Sequence, residues 1–147
     1  MTQIKEHLRA STTTYCTRYV EISGCKYNPF IYDNFLNEAK RVIITKWRLS
    51  NHRLKIETDR YITPKIPHEE RKCSVCPVVE DEHHVLLNCS LYTTFREKFR
   101  KLLVRNNSSI NSLLNPISIS EAEELGAFLI DIEKIRQKSD LNNLLSN

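Results

Sequence analysis

Three cysteines and a histidine lie within seventeen residues near the middle of this chain, in the pattern Cys73-x2-Cys76-x7-His84-x4-Cys89. A Cys-x-x-Cys pair suits a tight turn that presents two sulfurs to one ion, and the second pair completes a closed tetrahedral site. The spacing therefore predicts a structural Zn²⁺ ion held by Cys73, Cys76, His84 and Cys89. Because four protein ligands leave no position open for water, a catalytic role for the ion is not expected.

Two alternatives to this ligand set remain open from the sequence. His83 could ligate in place of His84, although the spacing favours His84 with His83 pointing outward. The four residues could also be buried without any metal. The chain has five cysteines, and neither an apolar signal segment nor a bilayer-spanning run is visible, so a reducing, intracellular setting is expected. Cys16 and Cys25, outside the cluster, are interpreted as incidental or small buried thiols.

Apolar periodicity predicts a mainly α fold, a small helical domain with an embedded CCHC zinc-knuckle-like module. Asn28-Pro29 predicts a helix start, followed by one apolar stripe at Ile31, Phe35, Ala39, Val42, Ile43 and Trp47. A second amphipathic helix is predicted over 91–105, with an inner face of Leu91, Phe95, Phe99, Leu102 and Leu103. Ser120 and Glu123 predict a capping box for a last helix.

The predicted organisation has five parts. They are a poorly defined N-terminal extension (1–27), a helical zinc-binding domain (28–105), a linker (106–119), a C-terminal amphipathic helix (120–138) and a frayed tail (139–147). Residues 71–92 of the zinc-binding domain are called the knuckle from here on. Within the knuckle, His84 is predicted on a short helical turn, with Asn88 in a left-handed exit that returns Cys89 to the ion. His52 and His68 are expected on the surface.

The net charge of +4 is unevenly distributed, with seven Lys/Arg against two acids in residues 40–60 and six acids against three bases in residues 120–147. A basic body of this kind favours contact with nucleic acid. The candidate contacts are Arg41, Lys46, Arg48, Arg53, Lys55, Arg60, Arg96 and Arg100. For Arg41 and Arg48 a merely solvated helix face is an equal alternative. Tyr61 could stack on an unpaired base, whereas Trp47 is predicted to pack in the core.

Several short motifs around the cluster occur together in one known family. They are Trp47-Arg48-Leu49-Ser50-Asn51-His52, Ile56-Glu57-x-x-Arg60-Tyr61, Glu70-Arg71, Glu80-Asp81-Glu82-x-His84, and Cys89-x-x-Tyr92 with Arg96. Over residues 40–100 the chain resembles the zinc-binding region at the C-terminal end of reverse transcriptases from non-LTR retrotransposons. It departs from that family at Asp59, where glycine is common, and at Pro77, which cannot donate a hydrogen bond to a sulfur.

The resemblance implies a non-catalytic zinc domain that follows a polymerase thumb and grips template RNA or target DNA, single-stranded or structured. Partners would be RNA or DNA and the rest of a reverse transcriptase polyprotein, with no membrane, in the nucleus or in a cytoplasmic ribonucleoprotein. The chain carries no polymerase or endonuclease motif, so it is not expected to be an enzyme. The alternatives are a zinc-stapled protein-interaction module, using the acidic C-terminal helix and the Glu80-Asp81-Glu82 loop, and a decayed, inactive retroelement fragment.

Overall fold

The computed structural model describes residues 26–33 and 36–146, and helices dominate this part of the chain. The α-helices are α1 (Pro29–Tyr32), α2 (Glu38–Arg48), α3 (Lys55–Thr58), α4 (Thr93–Lys98), α5 (Arg100–Arg105), α6 (Ile110–Leu113) and α7 (Ile119–Leu145). Shorter 3₁₀ turns occupy His68–Glu70 and Ser90–Tyr92, and a single π-helical turn occupies His84–Asn88. The predicted mainly α fold class is therefore confirmed. The N-terminal extension through residue 25, with Cys16 and Cys25, lies outside the described residues.

The predicted first helix is divided into two. Asn28 caps α1 as expected, because its side chain accepts from the N–H of Phe30 and proline follows at the first helical position. The helix nevertheless ends at Tyr32, and a second cap at Asn37 accepts from the N–H of Lys40 at 2.9 Å to begin α2. The prediction of one continuous helix was therefore wrong. The spacing of apolar residues does not show that Asn37 caps a new helix.

This break also changes which face of α2 is buried. Ile44, Trp47 and Arg48 are buried, whereas Ala39 is exposed and Val42 is 44% exposed. Trp47 packs in the core as predicted, but Ala39 and Val42 do not belong to it. A helix that restarts after an irregular segment has no fixed phase relative to the one before. The predicted stripe is therefore right for Ile31 and Trp47, which are buried, and for Ile43, which is partly buried, but wrong for Ala39 and Val42. Phe35, also assigned to it, lies outside the described residues.

Helix α2 is followed closely by a left-handed residue. Ser50 has φ 54°, and the N–H of Asn51 donates to the carbonyl of Lys46 at 2.8 Å, which is the hydrogen bond of a Schellman motif. Glycine usually occupies this position, but here the buried Ser50 hydroxyl donates to Glu82 at 3.0 Å. The end of α2 is thereby joined to the knuckle.

The last helix, α7, differs from its prediction at both ends. The capping residue is Ser118, which accepts from the N–H of Glu121, and the Glu121 carboxylate accepts from the N–H of Ile117 at 3.1 Å. The capping pair is therefore Ser118 and Glu121 rather than the predicted Ser120 and Glu123. At its other end α7 continues to Leu145, so most of the predicted tail is helical, although residues 140–146 are exposed.

A single buried cluster joins the predicted zinc domain to α7. It includes Ile31, Trp47 and Leu86 together with Leu125, Phe128, Leu129 and Ile132. Leu113 and Leu114, in the segment predicted as a linker, are also fully buried in it. The C-terminal helix is thus part of the same core as α2 and the knuckle.

The predicted helix over 91–105 is bent at Phe99, whose φ of −104° and ψ of 22° separate α4 from α5. Phe99, Leu102 and Leu103 are buried and Phe95 is partly buried, as predicted. Leu91, also predicted on the inner face, is 40% exposed. It lies in a 3₁₀ turn rather than in the α-helix, so the α-helical spacing does not predict which way it faces.

Gly126 of α7 lies directly against the Lys40 side chain of α2. A Cβ atom at this position would lie 2.6 Å from both Cβ and Cγ of Lys40. Glycine to alanine inside a helix ordinarily stabilises by about 1 kcal/mol. We expect Gly126→Ala to destabilise the fold instead, by about 1–2 kcal/mol, because α2 has to move to relieve the clash. Urea unfolding measures this change, and Asn142→Ala, at an exposed site on the same helix, should be neutral or stabilising.

Candidate metal centre

The Cys73–Cys76 half of the centre lies on a narrow turn. The N–H of Cys73 donates to the carbonyl of Val78 at 2.9 Å, and the N–H of Glu80 donates to the carbonyl of Arg71 at 2.9 Å. Lys72 and Val79 form an isolated antiparallel bridge at the base of this turn. The predicted tight turn at the Cys-x-x-Cys pair is therefore present, and it orients both sulfurs toward the second half of the centre.

The His84–Cys89 half is built on the π-helical turn. The N–H of Cys89 donates to the carbonyl of His84 at 2.7 Å, an i→i+5 hydrogen bond that brings residues five apart onto the same side. Asp81 caps the turn, because its side chain accepts from the N–H of His84 at 2.8 Å. The prediction that Asn88 adopts a left-handed conformation was wrong, since Asn88 is not among the described residues with positive φ. The π-helical turn, which is wider than an α-helical turn, brings Cys89 back to the other three ligands instead.

The ligand atoms of Cys73, Cys76, His84 and Cys89 all lie within 4.8 Å of one another. The Cys89 sulfur is 3.8 Å from that of Cys73 and 3.9 Å from that of Cys76. Two sulfurs bound to one tetrahedral ion, each at about 2.3 Å, lie about 3.8 Å apart. A disulfide would require about 2.05 Å, and all three cysteines are free. The spacing therefore fits a shared ion and excludes a disulfide in this conformation.

His84 supplies a second, independent indication of a ligand. The residue is buried, and its Nε2 atom has no hydrogen-bond partner. A buried ring nitrogen without a partner is costly unless something else binds it. His83, by contrast, is exposed and its Nδ1 atom lies 3.1 Å from the side-chain amide of Asn88. The structure thus selects His84 over His83 and places His83 outward, as predicted.

The electrostatics of the centre are those of ligands that need a cation. Burial lowers the pKa of His84, which favours the neutral imidazole that binds metals. Burial raises the pKa of the Cys89 thiol to about 12, against the opposing effect of a hydrogen bond from the Leu91 N–H. A divalent ion would supply the positive charge that this buried thiolate lacks.

The segment after Cys89 supplies the hydrogen bonds that Pro77 cannot. The backbone N–H of Ser90 donates to the Cys76 sulfur, the Ser90 hydroxyl lies 3.6 Å from it, and together they hold the pKa of Cys76 below its ordinary value. Arg96 supports the same segment by donating to the carbonyl of Cys89. Asp59 stands where the reverse transcriptase family that the sequence resembles often has glycine. Its φ of −73° is one that any residue adopts, so glycine is not needed there.

The acidic loop before His84 is structural rather than exposed. Glu80 is buried and accepts from Arg136 of α7 at 2.7 Å, while Arg71 donates to the carbonyls of Ile66 and Ile56 at 3.0 Å. These contacts attach the knuckle to α3 and α7. From the sequence, three adjacent acids beside histidines are expected to be exposed to solvent. Glu80 and Glu82 are buried instead, because their partners come from distant parts of the chain.

His52 is buried, so the prediction that it lies on the surface was wrong. Its side chain is fully buried, its ring packs on Trp47, and its Nε2 atom lies 2.9 Å from a carboxylate oxygen of Glu82. Only a contact thirty residues away along the chain could have revealed this position. His68 is exposed, as predicted.

Two of the predicted basic contacts use their guanidinium groups within the chain. Arg48 is 1% exposed and donates to the Tyr32 hydroxyl at 3.1 Å and to the Asn115 side chain at 3.0 Å. Arg96 is half-buried against the metal centre. Arg48 is therefore withdrawn as a nucleic-acid contact, because a guanidinium enclosed by its own chain cannot reach a phosphate.

The other predicted bases are distributed over several faces. Arg53 and Lys55 line a groove beside the knuckle, while Arg41 and Lys46 of α2 line a different pocket together with Tyr32 and Leu49. Arg100 lies on α5 with Lys101, and Arg60 is half-buried in the turn after α3. The structure does not unite these residues into one basic surface.

Fold and site together define a small helical domain with an embedded Cys3His cluster that can hold a metal ion. Comparisons with protein-family models, with curated proteins and with solved structures find no significant match. Among the described residues, no helix combines the length and the hydrophobicity that a membrane crossing requires.

Proposed function

We propose that this chain is a structural-zinc domain that binds nucleic acid without catalysing a reaction. The observation that carries the metal assignment is the sulfur spacing of 3.8–3.9 Å beside the partnerless His84 nitrogen. Three thiolates and one imidazole are ligands that bind zinc well, whereas calcium and magnesium take oxygen ligands. Four protein ligands close the coordination sphere, so the ion stabilises the fold.

Contact with nucleic acid is proposed at the groove beside the knuckle. This groove has a volume of about 580 Å³ and runs between the turn that carries Cys73 and the far end of α7. Arg53 and Lys55 offer positive charge for phosphates, and Thr58, Ser74 and Ser139 offer hydroxyl groups. Asp59 and Asp140 line the same groove, so we expect weak binding that is strongest at low ionic strength.

The protein-interaction alternative has less support. It relied on exposed acids, but Glu80 and Glu82 are buried. On α7, Glu121, Glu123, Glu124 and Asp131 form ion pairs with Arg105, Lys40 and Lys98. Much of that acidic charge therefore neutralises bases of the same chain. An origin as the tail of a retrotransposon reverse transcriptase remains the proposal that the motifs of residues 40–100 favour.

Charge reversal in the groove tests the nucleic-acid proposal. We expect the double variant Arg53→Glu, Lys55→Glu to weaken binding of single-stranded RNA by at least about tenfold, because phosphate contacts by these side chains are lost. Asp140→Asn should strengthen binding, since it removes a repulsive carboxylate. Fluorescence anisotropy over a series of salt concentrations measures both effects. The wild-type slope of log K against log salt should be about −0.7 per phosphate contact.

Arg100→Glu is the matched control, because Arg100 is an exposed base on α5 away from the groove. It should reduce binding much less than the double variant. Binding that is independent of salt, or that falls equally with Arg100→Glu, would contradict the proposed groove. Metal content and circular dichroism should be unchanged in all of these variants.

A further inference from the structure

Helix α2 has an apolar face that the described part of the chain leaves uncovered. Ala39, Val42 and Ile43 of α2 and Ile130 of α7 lie along a shallow groove between the two helices. Val42 is 44% exposed and Ala39 is also exposed. These are the positions that the sequence assigned to the core, so the α2–α7 groove has the apolar character of a packing surface.

Charged residues of both signs border this groove. Glu38 and Lys46 flank it on α2, and Glu133 and Lys134 flank it on α7. Among the ion pairs formed between described residues, none involves these four side chains. Four other acids of α7 are each paired within the chain. Glu38, Lys46, Glu133 and Lys134 therefore border the uncovered apolar face without an ion-pair partner among the described residues.

The spacing of the α2 charges is self-complementary. Glu38 and Lys46 lie four residues before and four residues after Val42. Two α2 helices that cross antiparallel about a two-fold axis at Val42 therefore place Glu38 opposite the partner subunit's Lys46, and the reverse. A two-fold interface requires a surface that complements itself in this way.

We propose that the α2–α7 groove is the interface of a symmetric dimer of this chain. Val42 of each copy lies at its centre, Ala39, Ile43 and Ile130 supply apolar area around it, and reciprocal Glu38–Lys46 pairs fix the antiparallel direction. The apolar centre contributes affinity and the charged border contributes orientation. This dimer is independent of nucleic-acid binding in the knuckle groove, which lies on different residues.

Sedimentation equilibrium of the metal-loaded full chain tests the dimer over two decades of protein concentration. We expect reversible dimerisation by the wild type and a dissociation constant at least about tenfold higher for Val42→Glu, which buries like charges against each other. Val104→Glu is the matched control, because Val104 is a 66% exposed valine on α5 outside the groove. It should leave the dissociation constant unchanged.

Charge exchange tests the antiparallel arrangement. Lys46→Glu alone and Glu38→Lys alone should each weaken the dimer, because like charges then face each other across the axis. The double variant Glu38→Lys, Lys46→Glu should restore it. A dimer that Val42→Glu weakens but the double exchange does not restore would overturn this geometry.

Other occupants of the groove give different results. A wild type that stays monomeric at every concentration overturns the dimer. If Val42→Glu then lowers its thermal stability, another segment of the same chain covers the groove. If stability is unchanged, no segment of the chain covers the groove. A dimer that is insensitive to Val42→Glu would place the interface elsewhere and also overturn the proposal.

Discussion

His84→Ala is expected to abolish metal retention and cooperative unfolding, whereas His83→Ala leaves both intact. The two histidines are adjacent in sequence, but His84 faces the three sulfurs and His83 faces solvent. Structural zinc sites contribute about 10–16 kcal/mol of apparent binding free energy. Whole domains are stable by only about 5–15 kcal/mol. The loss of one ligand should therefore remove most of the folding free energy.

Two measurements on the purified variants check this prediction. Elemental analysis should find one zinc ion per chain in the wild type and in His83→Ala, and almost none in His84→Ala. Thermal unfolding followed by circular dichroism should lose its cooperative transition in His84→Ala, and in the wild type treated with a strong chelator. Equal metal content in the two variants would disprove the ligand assignment, and a chelated wild type that unfolds as before would disprove the structural role.

Arg136→Met is expected to destabilise the fold by about 3–5 kcal/mol, because it leaves the buried carboxylate of Glu80 without its cation. Arg136 Nη2 lies 2.7 Å from Glu80, the same guanidinium donates to the carbonyl of Arg53 at 2.9 Å, and its Nη1 lies 3.3 Å from the Tyr92 hydroxyl. Although burial opposes it, attraction to Glu80 and Tyr92 raises the pKa of Arg136 above its ordinary value. One side chain thus connects α7 to the knuckle and to the segment that precedes α3.

Lys98→Met provides the comparison for this effect. Lys98 of α4 forms an ion pair with Asp131 of α7 at 2.8 Å, but its side chain is 62% exposed. An exposed pair contributes about 0–1 kcal/mol, so its removal should be nearly neutral. Chemical denaturation of both variants with metal bound measures the difference. Equal effects of the two substitutions would show that the Glu80–Arg136 contact does not hold the knuckle to α7.

The local pattern predicted those parts of the site that depend on neighbours in sequence. The Cys-x-x-Cys turn, the choice of His84 over His83 and the helical turn before Cys89 all follow from the chemistry and spacing of nearby residues. The sequence did not predict how Cys89 returns to the centre. A left-handed Asn88 and a π-helical turn are local alternatives of similar plausibility, and the packing of Val85 and Leu86 in the core accompanies the second.

The exposure of the predicted basic residues could not be predicted from the sequence. A count of charges along the chain treats Arg48, Arg53 and Arg100 as equivalent. The structure encloses Arg48, directs Arg53 into the groove beside the knuckle and places Arg100 on a separate face. Which charges are available to a ligand depends on contacts between distant segments, and charge patterning contains no information about those contacts.

The sequence by itself determined the helical class and the four candidate ligands, because helix periodicity and ligand spacing are properties of neighbouring residues. Only the tertiary structure decided that α7 shares one core with the knuckle, that Glu80, Glu82 and His52 are buried, and that Val42 is left uncovered. The physical reason is that a buried charge is stable only with its partner in place. Those partners, Arg136 for Glu80 and His52 for Glu82, come from distant parts of the chain.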